Sequence, residues 1–294
     1  MQLLKNLKRL VIEDIDTTFT REDIKKAFNI WQESTSTSPS GRHLGKYKAV
    51  TRDLDVKDES ARAKMLEIQT NMMNTAVKHS IVYERWETVH SLMLEKIKGK
   101  PRLEKLWIIH IYKADVNMIM GILWDQRLVA QGEKLQAFGD ANDGSRKGRK
   151  ATDTLMMKRM SYLISELQVK DIAMMDQDAK SCYDRIVILL AMLRSRQLGM
   201  PKEACKLMAE FFQKVKYYVK TNAGVSKAFH RFCAEHPCHG TGQGNCGAPA
   251  NWLQILTFLI QQMELVTDGL KFEDPITWET FQQIMDRFVD DITS

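Results

Sequence analysis

The first hydrophobic pattern along the chain is helical. Ile24, Phe28 and Trp31 recur three or four residues apart, which places them on one face of a helix. Thr20 is followed three residues later by Asp23, a pairing that caps free backbone N–H groups at the start of a helix. The pattern therefore predicts a short helix that begins after Thr20 and packs one apolar face against a core.

A Ser/Thr-rich segment at 34–41 interrupts the helical pattern and predicts a loop, because it contains the turn-forming residues Pro and Gly. Helical spacing resumes over 58–79. The apolar face of this second helix is predicted to point into the core through Met65, Ile68, Met72 and Met73.

Shorter strand and helix patterns follow one another irregularly through the rest of the chain. The predicted strands are 106–112, 171–178, a pair that turns within 216–225, and 281–289. The predicted helices are 114–130, 152–167, 184–197 with a stop at Gly199, one that Pro201 opens, and one that follows Pro249. Because long helical insertions break any regular strand–helix alternation, this order predicts an α+β fold.

The composition is that of a folded protein. Of 294 residues, 44% are apolar and 27% are charged, which excludes a largely disordered chain. No apolar run approaches the roughly 18 residues of a membrane helix, and the first residues lack the cleavage site of a secretory signal. Five cysteines without regular spacing argue against a disulfide framework. These features predict an intracellular protein, cytoplasmic or nuclear, with no membrane partner.

Charge is unevenly distributed along the chain, although the net charge is only +6. Residues 96–150 hold 12 Lys and Arg against 6 Asp and Glu, whereas residues 263–294 hold 8 acidic residues against 2 basic ones. A basic middle suits a polyanion such as nucleic acid, and an acidic end suits a cation. The alternative is two ordinary solvated surfaces, which charge alone does not exclude.

Acidic residues stand at the ends of two predicted strands. Asp178 follows an apolar stretch that begins at Ile172, and Asp290 and Asp291 follow Phe288-Val. Neighbouring carboxylates raise each other's pKa when buried, but a divalent cation between them removes that cost, and carboxylate oxygens suit Mg²⁺. A solvated turn is the alternative interpretation of an Asp-Asp pair. The residues therefore support the hypothesis of a Mg²⁺ site.

A glycine-rich segment runs from Gly240 to Pro249. Glycines allow the backbone to approach a ligand closely, and Gln243 offers both a hydrogen-bond donor and an acceptor. The segment is not a phosphate-binding P-loop, because no Gly-Lys-Ser/Thr follows. A nucleotide- or template-binding turn is one interpretation, and an ordinary loop is the other.

Cysteine and histidine residues around this segment raise two further hypotheses. A zinc site would draw on five residues that fall within 14 positions, namely Cys233, His236, Cys238, His239 and Cys246. Their spacing only roughly matches the paired ligands of zinc sites, and small packing residues are the preferred interpretation of the thiols. A cysteine protease is rejected, because the acidic surroundings of Cys182 would raise its pKa and weaken it as a nucleophile.

In chain order, the acidic and glycine-rich segments resemble motifs of reverse transcriptases, specifically the non-LTR retrotransposon type. The family motif of Asp, four residues, an aromatic residue and Asp is matched by Asp178-Ala-Lys-Ser-Cys-Tyr183-Asp184. The family turn Gly-x-x-Gln-Gly…Pro is matched by Gly240-Thr-Gly-Gln-Gly and by Pro249.

Two further segments extend the resemblance to roughly residues 96–294. An aromatic-x-Asp-Asp hairpin is matched by Phe288-Val-Asp-Asp291, and Gly148-Arg149 with Asp153 is similar to the family's Gly-Arg…Asp segment. The stretch 108–128 is similar to the family's fingers. Four motifs in the family order are the basis of the resemblance.

The resemblance implies a right-hand polymerase with palm and fingers, which adds deoxynucleotides to a primer 3′-hydroxyl under the direction of RNA. Its expected partners are an RNA template, a DNA primer and dNTPs. Asp178, Asp290 and Asp291 would be the catalytic carboxylates and would hold two Mg²⁺ ions.

The resemblance also implies nucleotide- and template-binding residues. Tyr183 would lie under the sugar, and Gln243 with Gly244 would lie near the incoming nucleotide and the template. The basic middle of the chain would contact phosphates, with Lys100, Arg102, Arg146 and Arg149 as candidates.

The chain departs from the family pattern in three places. Ala248 stands where the family usually has Ser before Pro249. Trp107 stands where the family's fingers Arg is expected, and the chain stops three residues after Asp291. We therefore expect an incomplete palm and no thumb, with a helical N-terminal extension at 1–95 and fingers with partial palm at 96–294. The alternative function is a catalytically inactive reverse-transcriptase-like remnant that binds nucleic acid.

Overall fold

The structure is a computed structural model of the 294-residue chain. It describes residues 12–32, 39–41, 44–51, 59–99, 102, 106–140, 142–172, 174, 176–179, 181–233, 239–266, 269–274, 276–283, 286–288 and 291–293. At 59–60, 176–178, 281, 283, 286–288 and 291–293 the description covers the backbone.

The described elements are helices and short strands in mixed order, which confirms the predicted α+β class. The helices are α1 Arg21–Ile30, α2 Leu44–Thr51, α3 Glu59–His79, α4 Ala114–Met120, α5 Val129–Lys134, α6 Ala151–Leu167, α7 Ile188–Gln197, α8 Lys202–Lys214 and α9 Ala248–Met263. The strands are β1 Thr88–Glu95, β2 Leu106–Ile111, β3 Asp176–Asp178, β4 Lys216–Thr221, β5 Gly224–Val225, β6 Leu270–Glu273, β7 Thr280–Gln283, β8 Asp286–Phe288 and β9 Asp291–Thr293. Single 3₁₀ turns lie at Glu84–Trp86 and Cys182–Arg185, and a π-helical segment at Gly121–Leu128 joins α4 to α5.

The predicted start of α1 is confirmed in detail. The Thr20 hydroxyl accepts a hydrogen bond from the Asp23 backbone N–H, and the Asp23 carboxylate accepts one from the Thr20 N–H. The helix buries Ile24 and Phe28, and the Phe28 ring stacks on Tyr47 with 4.7 Å between ring centroids. The capping pair therefore fixes where α1 begins, and α1 packs against α2.

Helix α3 lies where it was predicted, but the predicted core face was wrong for two of its residues. Met65 and Ile68 are 56% and 68% exposed, whereas Leu66 and Met73 are buried. A long helix offers more than one apolar stripe, and the side that packs is decided by the helices it meets, here α2 and α8.

One four-stranded mixed sheet, in the order β2-β1-β4-β5, forms the main scaffold. β1 pairs antiparallel with β2 and parallel with β4, so it is central although it stands at the end of the predicted N-terminal extension. β4 and β5 form the strand pair predicted within 216–225. The core beneath the sheet is one buried apolar cluster that extends along the chain from Ile15 to Leu256.

A continuous helical stretch from α4 to α5 runs through this core. Trp124 in its π-helical part is fully buried, and its indole N–H donates to the Ser195 hydroxyl of α7 at 3.1 Å. Ser195 lies 3.0 Å from the side-chain oxygen of Gln254 in α9. Three helices therefore meet at one buried polar contact, which satisfies groups that would otherwise be costly to bury.

The strand and helix bounds around the predicted acidic motif differ from expectation. Residues 171, 172 and 174 belong to no strand, and β3 is confined to three residues. The helix expected from 184 begins at Ile188, because the carbonyl of Ile186 accepts a hydrogen bond from the Gly240 N–H and the segment before it forms a 3₁₀ turn. The single strand expected over 281–289 is two short strands, β7 and β8.

The described residues also form two smaller sheets. β3, β9 and β8 form an antiparallel three-stranded sheet, and β6 pairs with β7. Helix α6 fills its predicted place but leaves apolar side chains exposed, among them Leu155 and Leu167 at 65% and 83%. Within the described ranges, no helix is both long enough and apolar enough to cross a bilayer.

Candidate functional site

Two of the three predicted carboxylate positions are neighbours in the three-stranded sheet. Asp178 ends β3 and is the direct register partner of Asp291, which begins β9. Asp291 is also the register partner of Phe288 in the hairpin strand β8. Opposite residues in an antiparallel pair have Cα atoms about 4.5–5.5 Å apart. The backbone therefore brings together two motifs that are far apart in the sequence, while Asp290 lies outside the described residues.

The segment after β3 makes a sharp turn that carries Tyr183. Ser181 has a left-handed backbone with φ of 54°, and the 3₁₀ turn Cys182–Arg185 follows at once. Cys182 is buried, and Tyr183 is half-buried and packs against the core. The backbone carbonyl of Tyr183 accepts a hydrogen bond from the Thr241 N–H at 2.8 Å. The predicted Tyr183 is thus anchored directly to the glycine-rich segment.

Close backbone contact is the reason for glycine at position 240. Gly240 has φ of +84°, and a Cβ there would lie 2.7 Å from the backbone oxygen of Asp184. Partial burial raises the pKa of the Asp184 carboxyl, and the charge of the nearby His239 partly opposes this rise. The two predicted motifs, 178–184 and 240–249, therefore form one packed unit.

The other side of the glycine-rich segment is fastened to strand β2. The His110 N–H donates to the Gln243 carbonyl at 2.7 Å, and the Trp107 indole N–H donates to the side-chain oxygen of Gln243. Gly244 has φ of +109°, and a Cβ there would overlap the carbonyl oxygen of His110. The Tyr112 hydroxyl donates to the Thr241 carbonyl at 3.0 Å. The segment therefore bridges β2 and the turn that carries Tyr183.

Asn117 of α4 holds the far end of the same segment. Its side-chain N–H donates to the Gly244 carbonyl at 3.0 Å, and its side-chain oxygen accepts from the Cys246 N–H at 2.8 Å. The Asn117 amide thus binds two backbone groups of the turn, the Gly244 carbonyl and the Cys246 N–H. Sequence reasoning missed Asn117, because nothing in the residues around it distinguishes it from other helical polar residues.

The predicted phosphate-binding arginines are in different environments. Arg149 lies 3.3 Å from Asp143 and 3.4 Å from Asp140, and its side chain is 39% exposed. Arg146 makes a bidentate contact with Glu133 at 2.6 and 2.8 Å, and this hydrogen bonding raises the pKa of Arg146 and lowers that of Glu133. Arg146 is therefore committed to holding its own loop.

The remaining two basic candidates are Lys100 and Arg102. Arg102 is exposed, and Lys100 lies outside the described residues.

Two cavities flank the main sheet, one on each face. A cavity of about 590 Å³ lies on the face that carries Leu92 and Ile109 and reaches the helix end at Trp31. A second cavity of about 310 Å³ lies on the opposite face and is lined by rings and polar groups that include His110, Asp184, Tyr217, His230, Phe232 and His239. Neither cavity could be read from the sequence, because its lining comes from separate segments.

His110 is the most perturbed group in the smaller cavity. Its Nδ1 lies 2.9 Å from the Ser91 hydroxyl, and its ring lies 4.9 Å from that of Tyr217. Burial lowers the pKa of His110 to about 4, because the charged imidazolium would lose its hydration. His110 is therefore neutral at physiological pH.

The side chains that are described contain no group of three or more His, Cys, Asp or Glu residues arranged to hold a metal ion. The predicted carboxylates of 178, 290 and 291 are outside that set. Of the zinc candidates, Cys233 is exposed, and burial raises the pKa of the Cys246 thiol to about 11. His236 and Cys238 lie outside the described residues.

Comparison with known proteins gives structural likeness without a sequence match. No family model matches the chain, and no curated protein matches it. Among solved structures, the chain is similar to apo telomerase from Candida tropicalis, truncated from its C-terminal domain, with a TM-score of 0.43 and 13% sequence identity. That alignment covers 79% of this chain and 48% of the telomerase chain, so the chain spans about half the length of that structure.

Proposed function

We propose that this chain is the fingers and partial palm of an RNA-directed DNA polymerase of the non-LTR retrotransposon type. The observation that carries the proposal is the register pairing of Asp178 with Asp291. A carboxylate site for phosphoryl transfer needs ligands from separate strands, because one strand cannot surround an ion. The order of the motifs along the chain and this backbone pairing both support Asp178 and Asp291 as ligands of one site.

The proposed cofactor is Mg²⁺, as two ions held by Asp178, Asp290 and Asp291. The donor set fits this metal, because all three ligands are carboxylates and Mg²⁺ prefers hard oxygen donors. The chemistry supplied by bound Mg²⁺ is a lower pKa for the primer 3′-hydroxyl and stabilisation of charge at the α-phosphate. The backbone register of Asp178 opposite Asp291 in the β3–β9 pairing supports this assignment.

Nucleotide and template binding is assigned to the unit formed by the two packed motifs. Tyr183 would support the sugar, since its backbone is fixed by the hydrogen bond from Thr241. Gln243 and Gly244 would face the incoming nucleotide and the template from a turn that β2 and Asn117 hold in place. A rigid turn of this kind orients a ligand at low entropic cost.

The basic residues would contact phosphates. Arg102 is exposed, and the side-chain contacts of Arg149 with Asp140 and Asp143 are 3.3 Å or longer, so both arginines can exchange their present surroundings for a phosphate. The proposed partners are an RNA template, a DNA primer and dNTPs, and the proposed location is inside the cell, in the cytoplasm or nucleus. Residues 1–95 are proposed as an N-terminal extension, with helices followed by the strand β1 that joins the main sheet, and 96–294 as fingers with partial palm.

Primer extension tests the proposal. The protein is incubated with an RNA template, a labelled DNA primer, dNTPs and Mg²⁺, and the variants Asp178→Asn and Asp291→Asn are compared with Asp171→Asn. Asp171 is an exposed carboxylate just before β3, so its change controls for loss of one negative charge. We expect the two motif variants to lose at least about 100-fold in rate, because several kcal/mol of charge stabilisation would be lost.

The outcome that contradicts the proposal is extension that survives both motif changes, or that falls equally in the Asp171 control. Folding of each variant is checked by circular dichroism and by its melting temperature. This check distinguishes loss of chemistry from loss of structure.

A second candidate is a catalytically inactive remnant that binds nucleic acid. The observation that favours it is Trp107 at the position of the expected fingers Arg, together with the commitment of Arg146 to Glu133. Both reduce the positive charge available to a triphosphate. Binding of primer–template by a folded protein, without incorporation under any Mg²⁺ concentration, would establish this second function.

A further inference from the structure

We propose that Trp107 is a positioning residue that fixes the direction of the Gln243 amide, so that Gln243 offers hydrogen-bond donors to its ligand. This inference rests on the proposed function, in which Gln243 contacts a nucleotide or template. It assigns a role to the residue at which this chain departs most clearly from the reverse transcriptase pattern.

The geometry begins with the indole of Trp107. This residue lies in β2 and is 45% exposed, and its indole N–H donates to the side-chain oxygen of Gln243. An indole can donate but cannot accept a hydrogen bond. The contact therefore specifies the amide oxygen of Gln243, and not its nitrogen, as the atom that faces the indole.

The backbone around both residues is fixed independently of this contact. The His110 N–H donates to the Gln243 carbonyl at 2.7 Å, and Gly244 lies directly against the His110 carbonyl. β2 is itself paired with β1 over six register positions, with Trp107 opposite Leu94. The two side chains therefore meet because their backbones are held side by side.

The consequence concerns the other end of the amide. With its oxygen engaged, the Gln243 side chain has two N–H groups left, and these have no partner among the described residues. A ligand that meets this amide must therefore present acceptors, such as the sugar, phosphate or base-edge oxygens of a nucleic acid. Trp107 provides this orientation without a positive charge, so it would not replace the phosphate contact of an arginine.

Two variants isolate the contact with little change in shape. Trp107→Phe keeps an aromatic ring and removes the N–H, and Gln243→Met keeps the side-chain length and removes the amide. Trp278→Phe is the matched control, because Trp278 is 72% exposed and lies elsewhere in the chain. The first readout is the set of six tryptophan indole N–H resonances in ¹⁵N-labelled protein.

We expect one indole resonance to vanish in Trp107→Phe and the same resonance to move to the position of a solvated indole in Gln243→Met. The Trp278→Phe variant should lose a different resonance. A Trp107 resonance that is unchanged by Gln243→Met would overturn the inference, whether or not the protein binds nucleic acid.

The second readout is the affinity for a fluorescein-labelled DNA primer on an RNA template, measured by anisotropy without dNTPs. Each single variant should lose about threefold to tenfold in affinity, the worth of one hydrogen bond, and the double variant should lose no more than either single one. Additive losses would overturn the role of Trp107 while leaving the proposed function intact. Absence of binding by the wild-type protein would overturn the proposed function instead.

Discussion

Because His110 is neutral in the folded protein, we expect the free energy of unfolding to depend on pH. Burial lowers the pKa of His110 from an ordinary 6.5 to about 4 in the folded protein. Between these values the unfolded chain binds a proton that the folded protein does not. Folding is therefore favoured at higher pH, and this contribution is lost as the pH falls from about 6.5 towards 4.

The magnitude follows from the size of the shift. Each unit of pKa corresponds to 1.36 kcal/mol, so the full effect is about 3 kcal/mol below pH 4, and about 2 kcal/mol of it is lost by pH 5. Asp184 lines the same cavity and has a raised pKa, which acts in the opposite direction as pH falls. His230 and His239 line the cavity too, so only a comparison of variants isolates His110.

The assay is urea unfolding of the wild type and His110→Phe at about pH 7 and about pH 5. The variant keeps a ring in the cavity but cannot be protonated, and its lost contact with Ser91 costs the same at both pH values. We expect the wild type to lose about 2 kcal/mol more than the variant between the two pH values. His79→Gln, at the exposed end of α3, removes one histidine as a control.

An equal loss in the wild type and His110→Phe would refute this reasoning. It would mean that the His110 imidazole binds its proton in the folded protein as readily as in the unfolded chain. A water or a carboxylate in the cavity would then compensate the charge. If the pH-dependent loss of stability disappears in His79→Gln, His79 and not His110 is its cause.

Three further predictions follow from local geometry. Gly244→Ala should lower the free energy of unfolding by about 1–3 kcal/mol, because φ is positive there and the new methyl group would overlap the His110 carbonyl. Urea titration measures this change, and an unchanged midpoint would contradict the close contact. Thr20→Ala should cost about 1 kcal/mol by removing the α1 cap, measured as a lower melting temperature; no change would mean that the cap is not needed. Of the four described cysteines, the exposed Cys233 should react first with a thiol reagent, as followed by mass spectrometry. Cys205, whose pKa burial raises to about 12, should react only on unfolding, and early labelling of Cys205 would disprove its burial.

Local signals in the sequence predicted local structure well. The Thr20–Asp23 pair places the start of α1 correctly, because capping involves residues three apart and needs no tertiary contact. The turn at Asn222-Ala-Gly224 likewise predicts the β4–β5 pair. The core face of α3 was wrong at Met65 and Ile68, because the choice between two apolar stripes depends on the helices that pack there.

The candidate site was predictable only as separate motifs. Strand-end positions and the resemblance to reverse transcriptases point to Asp178 and Asp291 one by one, but their pairing depends on strand register across most of the C-terminal half of the chain. The contact between Trp107 and Gln243 had no signal at all, because a tryptophan in a strand normally indicates packing. Whether these residues bind a nucleotide stays a prediction.

The parallel pairing of β1 with β4 has a consequence for the order in which the protein folds as it is made. Thr88 is the register partner of Lys216, so roughly 130 residues must be synthesised after β1 begins before its second neighbour exists. At about 5–20 residues per second, that is an interval of about 6–26 s. Through this interval the edge of β1 that later pairs with β4 stays open, and an open edge can pair with another chain. The rate of synthesis, and not the stability of the folded protein, therefore determines how long this edge is available for aggregation.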